Sequence, residues 1–180
     1  MTAQSPAKNP REFQGRENFV DDIHGKSDRA VAIVGAAFLD SHLEQLLGSF
    51  FVDDYDEVRA LVGSDRPLGT FGARIRMGYI LGLISKEERD DLWSVNQIRE
   101  FFIREMGELS FSDDPLREWC FLLRLPNKIL LSGETRTPRR LFVFAVALLV
   151  RQLSLRIEQA GQARRAVADE FVFVENMRGK

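Results

Sequence analysis

The sequence predicts an all-α fold, a single-domain bundle of about six helices, and three observations carry that expectation. Apolar side chains recur every three or four positions along several long stretches, the spacing of one helix face. Capping signatures open one such stretch after another, each a Ser, Thr or Asp, most of them ahead of an acidic or proline-led turn. No run of strands stands out, and "FVFV", Phe171 to Val174, is the one segment that would suit a strand. At 180 residues, 44% hydrophobic and 29% charged, the chain has the size for one domain with a real core.

Residues 1–17 are polar and carry no periodicity, so they are expected to be disordered, leaving 18–180 for the helical domain. Ser27 is placed to cap the first long helix, with Asp28 in its first turn where a negative charge suits the helix dipole. Ala32, Ala36, Leu39, Leu43, Leu46 and Phe50 then form one stripe, and Val31, Val34 and Phe38 widen it into the pattern of a central helix. "DDYDEVRALVGSDRP" reads as a short helix and a turn ending at Pro67. Thr70 caps "FGARIRMGYILGLI", in which Gly78 and Gly82 share a face and imply close approach of another backbone. "SKEE" is a capping box, Ser85 with Glu88, for a helix running to about Met106. Asp114 and Pro115 cap and open "PLREWCFLLRL", and Thr137 with Pro138 do the same for "RRLFVFAVALLVRQLSLRIEQA", which Gly161 stops.

Leu141 to Val150 shows no polar residue in ten positions. A helix on a monomer surface would show one, so this segment is either enclosed by its own chain or shared with a second copy, and a homodimer is expected. It is also about half the length of a bilayer crossing, which takes ~20 residues. The opening "MTAQSPAKNPREFQGRE" lacks an apolar signal core. No membrane role is expected, and the setting is the cytoplasm.

Charge is unevenly spread behind a net −2: residues 1–123 are acidic in balance and 124–165 strongly basic. Either the acidic and basic parts dock on each other, or the basic part meets an anionic partner. Arg136, Arg139, Arg140, Arg151 and Arg156 form the candidate nucleic-acid patch, one that would bind without sequence preference. The pair around "LGLIS" fails as a helix-turn-helix, because its second helix would begin with the acidic "KEERDD". "GTFG", Gly69 to Gly72, matches the loop of a KH domain but lacks the sheet that motif needs. Arg74 and Arg76, which follow it, are candidate contacts to a ligand or partner.

Cys120 is the only cysteine, which excludes an internal disulfide and a zinc site built from cysteines. Asp53, Asp54, Asp56 and Glu57 lack the spacing and glycine of a calcium loop and read as a helix start or solvated loop. No nucleophile with a base, phosphate loop or dinucleotide fingerprint is present, so no metal site, cofactor or catalytic residue is expected. The most chemical stretch is "NQIREFFIREMGELSFSDD", Asn96 to Asp114. Arg99 shares a helix face with Leu92, Val95, Phe102, Ile103 and Met106, so it needs a carboxylate or carbonyl partner and serves as an anchor or as a ligand contact. Arg104 follows Glu100 by four, a surface pair worth ~0.2–0.5 kcal/mol.

The segment "PLGTFGARIRMGYILGLISKEERDDLWSVNQIREFF", with "FSDD" at Phe111 to Asp114 and the earlier "DRAVAIVGAAFLDSHLEQLL", resembles the mannitol operon repressor family. The resemblance spans Ser27 to Leu125. It implies a compact, non-enzymatic, all-helical regulatory domain that represses sugar-uptake genes through a protein partner, without a DNA-reading motif of its own. The Arg99 stretch is also similar to the arginine–four residues–histidine signature of HEPN-type ribonucleases. Arg99 matches the arginine, but Arg104 stands where the histidine would be, and His24 and His42 lie far upstream. An arginine cannot give up its proton in that role, so that resemblance implies at most a degenerate nucleic-acid-binding domain.

Overall fold

The computed structural model describes residues 25–129 and 135–168, so the expected disorder of 1–17 and the possible strand at 171–174 lie outside the described residues. The described residues form seven helices and no strand: α1 (Asp28–Phe50), α2 (Tyr55–Val62), α3 (Phe71–Ile80), α4 (Lys86–Arg104), α5 (Leu116–Phe121), α6 (Arg124–Ile129) and α7 (Pro138–Gln162). The all-α bundle is as expected.

Two long helices, α1 and α7, lie side by side and make the most extensive helix contact in the bundle. They run parallel. Arg139, near the start of α7, pairs with Asp28 at the start of α1 and donates to the Lys26 carbonyl at 2.9 Å. At the other end the Arg165 amide donates to the Phe50 carbonyl at 2.9 Å and Arg164 to that of Ser49 at 3.3 Å. Between these ties, Val31, Ala32, Leu39, Leu43 and Leu46 of α1 and Leu141, Phe142, Ala145, Val146, Leu149 and Leu153 of α7 are fully buried. By length and composition α1 is apolar enough to cross a membrane. Here it packs on α7, α4 and α3.

Four of the five capping signatures act as expected. Ser27, Thr70 and Thr137 accept the amides of Ala30, Ala73 and Arg140 at 3.3, 3.2 and 3.3 Å, and Ser85 with Glu88 forms the capping box. Within the acidic knot, Asp54 caps α2. The uneven charge is resolved internally. Asp28–Arg139, Asp53–Arg164, Glu87–Lys128, Asp90–Arg124 and Glu88–Arg156 each join the acidic part to the basic part.

Three elements differ from expectation. Gly82 does not continue α3; at φ 72° it ends the helix, with the amides of Leu83 and Gly82 returning to the carbonyls of Gly78 and Tyr79. "PLREWCFLLRL" is two short helices, because the buried Asp91 carboxylate accepts the amides of Arg124 and Leu125 at 2.8 Å each and starts α6 afresh. Asp114 makes no cap; it pairs with Arg117, and no side chain caps α5. Burial pushes the Asp91 carboxyl above the usual range, against the two amides and Arg124, which pull it down.

Candidate functional site

The Arg99 stretch is a wall of the bundle. The buried stripe of α4 runs through Leu92, Val95, Ile98 and Phe102, so Ile98 takes the inward position and Arg99 sits beside it, about one-third exposed. Ile103 and Met106, expected on the same inward face, are exposed. Arg99 pairs with Glu100 at 2.9 Å, and Arg104, 73% exposed, reaches the same carboxylate at 3.8 Å. His42 is on α1, its Nδ1 2.7 Å from the carbonyl of Phe38. Phe102 and Phe111 stack edge-to-face at 5.1 Å, and Phe111 continues to Phe142 at 4.8 Å. Phe111 of "FSDD" is therefore a core plug, with Ser112, Asp113 and Asp114 exposed, and the Phe111 amide is held by Asp28 at 2.8 Å.

One residue that sequence reading passed over organises this end. The Arg29 guanidinium donates to the carbonyls of Phe102, Glu105 (3.0 Å) and Gly107 (2.7 Å). It satisfies carbonyls at the C-terminal end of α4, where a cation also suits the helix dipole.

Arg74 and Arg76, two positions apart on α3, have opposite fates. Arg74 is 4% exposed and bonds Asp40 (2.6 Å) and Glu44 (2.9 Å) of α1 and the Val62 carbonyl (2.7 Å) at the end of α2. It cross-links three helices and offers nothing to a partner. Arg76 is exposed and lies over the Trp93 ring at 5.4 Å. Around it runs a groove of about 440 Å³, lined by Leu68, Ala73, Arg76, Met77, Ile80 and Trp93, with Thr70 and Gly72 at its edge. A Cβ on Gly72 would lie 3.1 Å from the Trp93 ring, so the glycine is what lets the indole seat against α3. Neither Trp93 nor the groove was singled out from sequence, although Ala73, Arg76, Met77 and Ile80 follow helical spacing.

The basic patch does not gather into one surface. Arg139 is held by Asp28 and the Lys26 carbonyl, and Arg156 lies 3.4 Å from Glu88. Arg140 donates to the Thr135 carbonyl at 3.2 Å and Arg136 to Asn127 at 3.5 Å, while Arg151 is exposed. At roughly 100° per residue, Arg151 and Arg156 point about 120° and 100° to either side of Arg139.

The fold and its charge pairing define a helical bundle that commits Arg139 and Arg156, two of the five arginines expected for nucleic acid, to ion pairs between its own helices. The model of the mannitol repressor family (MtlR) matches residues 24–131, more than half of the chain, and the chain belongs to that family. The mannitol operon repressors of Escherichia coli strains K12 and O6:H1 are each 31% identical over 96 residues, 51% of this chain and 49% of theirs. The chain thus spans about half the length of the curated relatives it matches. A chain of the X-ray structure of the MtlR–HPr complex from Escherichia coli shares the fold, with a TM-score of 0.64 over 81% of this chain and 99% of that chain at 22% identity.

Proposed function

We propose that this protein is a repressor-type regulator of transcription that acts by contact with a protein partner and does not read DNA itself. The observation that carries this reading is the internal pairing of the basic half: Arg139 and Arg156 are committed to Asp28 and Glu88. Phosphate binding draws on cations aligned along one surface, and this bundle spends two of them on its own structure. Family membership and the fold shared with a chain of the MtlR–HPr complex support HPr of the same bacterium as the partner to test and a sugar-uptake operon as the target. The setting is the cytoplasm, and no RNA is cleaved, because Arg104 is a solvated cation paired with Glu100 where a proton carrier would be needed.

The working unit is a homodimer. The outer face of α7 leaves Phe144, Ala147 and Leu148 half-buried and Leu155 exposed, an apolar strip beside Arg151 that a two-fold partner would cover. Light scattering across micromolar concentrations should give a dimer mass at low and high salt, and a monomer mass throughout would remove the dimer. A mobility-shift assay with the promoter of a sugar-uptake operon of the same bacterium tests the regulator itself. The purified protein alone should leave the duplex unshifted, and a sequence-selective shift without any partner would refute the reading.

A further inference from the structure

We propose that the groove between α3 and Trp93 receives an acidic amphipathic segment of a partner protein, its carboxylate on Arg76 and its apolar side chains on Met77 and Ile80. The inference rests on the partner-contact reading above and goes on to say where and by what chemistry a partner is held.

Helix α3 buries Phe71, Arg74, Ile75 and Gly78 against the bundle. Its opposite ridge, Ala73, Arg76, Met77 and Ile80, has helical spacing and is apolar except for one cation. Ile80 is 77% exposed, a large apolar side chain in water at the mouth of a concave surface, and Leu68 and Trp93 extend the apolar lining. Aromatic and arginine side chains together are what anchors protein interfaces.

Charge selects the occupant. Arg74 next door holds two carboxylates and Arg89 holds Asp90, whereas among the described residues Arg76 meets no carboxylate and no carbonyl. Its guanidinium lies over the indole, and its in-plane N–H donors stay open, the arrangement that takes a carboxylate in two bonds. Thr70, also in the lining, has its hydroxyl oxygen on the Ala73 amide. A small polar ligand would find one charged group in an otherwise largely apolar lining, whereas an amphipathic helix with an acidic flank matches both the apolar ridge and the cation.

The test uses the whole protein carrying Trp119→Phe, so that Trp93 alone reports, with circular dichroism confirming the fold. The probes are two synthetic peptides with leucines at helical spacing, one flanked by glutamates and its counterpart by lysines. The acidic peptide should shift Trp93 emission and bind at least tenfold tighter than the basic one. Arg76→Glu should reverse that preference, and Ile80→Asp should weaken the acidic peptide at least tenfold. Equal binding of the two peptides, binding of neither, or an unchanged preference in Arg76→Glu would overturn the proposal. Titration of the same protein with HPr separates the two readings. Lost HPr association with the peptide preference intact counts against the partner chosen above and supports the groove, whereas retained HPr association with no peptide preference counts against the groove alone.

Discussion

Replacing Arg74 by Ala removes, in one step, the cross-link between α1, α3 and the end of α2. The guanidinium is 4% exposed and donates to Asp40 at 2.6 Å, to Glu44 at 2.9 Å and to the Val62 carbonyl at 2.7 Å. Removing one partner of a fully buried ion pair costs about 3–5 kcal/mol, because the remaining charge is stranded away from water. Here Asp40 and Glu44 are 30% and 46% exposed and can rehydrate, so most of that penalty is relieved. What remains is the lost charged hydrogen bonding, the packing of the side-chain stem and the orphaned Val62 carbonyl, together about 2–3 kcal/mol. For a chain of this size that lowers Tm by roughly 5–10 °C. Urea unfolding followed by tryptophan fluorescence measures it directly. Arg74→Lys should recover only part of the loss, since one ammonium cannot span three acceptors on separate elements with the geometry of a fork. Below its new midpoint, Arg74→Ala should still bind partner. A variant as stable as the parent, or one with intact stability and abolished partner binding, would refute the structural role and return Arg74 to the contact surface.

Other consequences can be measured independently. Burial holds the Asp91 carboxyl above its ordinary pKa, so its protonated form favours the fold and the associated stability is lost as pH rises from about 4 through the raised value. Asp91→Asn, which cannot titrate and accepts one amide less well, should be less stable than the parent, with the gap narrowing as pH rises across that window; a gap that widens would contradict the assignment. Burial likewise pushes the Cys120 thiol up to about 12, so the folded protein should resist Ellman's reagent at pH 8 and react only on unfolding. Stoichiometric labelling of the native protein would show that α5 opens. Removing the Arg29 guanidinium by Arg29→Ala should loosen the C-terminal end of α4, visible as faster amide exchange around Phe102 to Gly107 with the rest of the bundle protected.

Local signals in the sequence were sufficient for most helix starts. Ser27, Thr70, Ser85 with Glu88, and Thr137 each bond within three residues, so their pattern is visible in a short window. The break between α5 and α6 is not local. It comes from Asp91, some thirty positions earlier, and from Asn127, whose amide donates to the carbonyls of Phe121 and Leu123 at 2.7 Å each. The facing of α4 was ambiguous for a geometric reason: Leu92 and Val95 are followed equally well at helical spacing by Ile98 and Phe102 or by Arg99 and Ile103. Packing chose the apolar series. The split charge raised the right question, and only the three-dimensional pairing of Asp28 with Arg139 and of Glu88 with Arg156 answers it. The groove was hidden because Leu68, α3 and Trp93 come from three segments, and the seating of Trp93 on α3 depends on Gly72.

Regulation through a protein partner is tested by calorimetric titration of the intact protein with HPr from the same bacterium at about 50 and 500 mM salt, alongside a duplex of a sugar-uptake promoter. Saturable association with HPr that persists at the higher salt, and no comparable heat with the duplex, are the expected results. Absence of HPr binding together with tight, steeply salt-dependent binding of the duplex would contradict it.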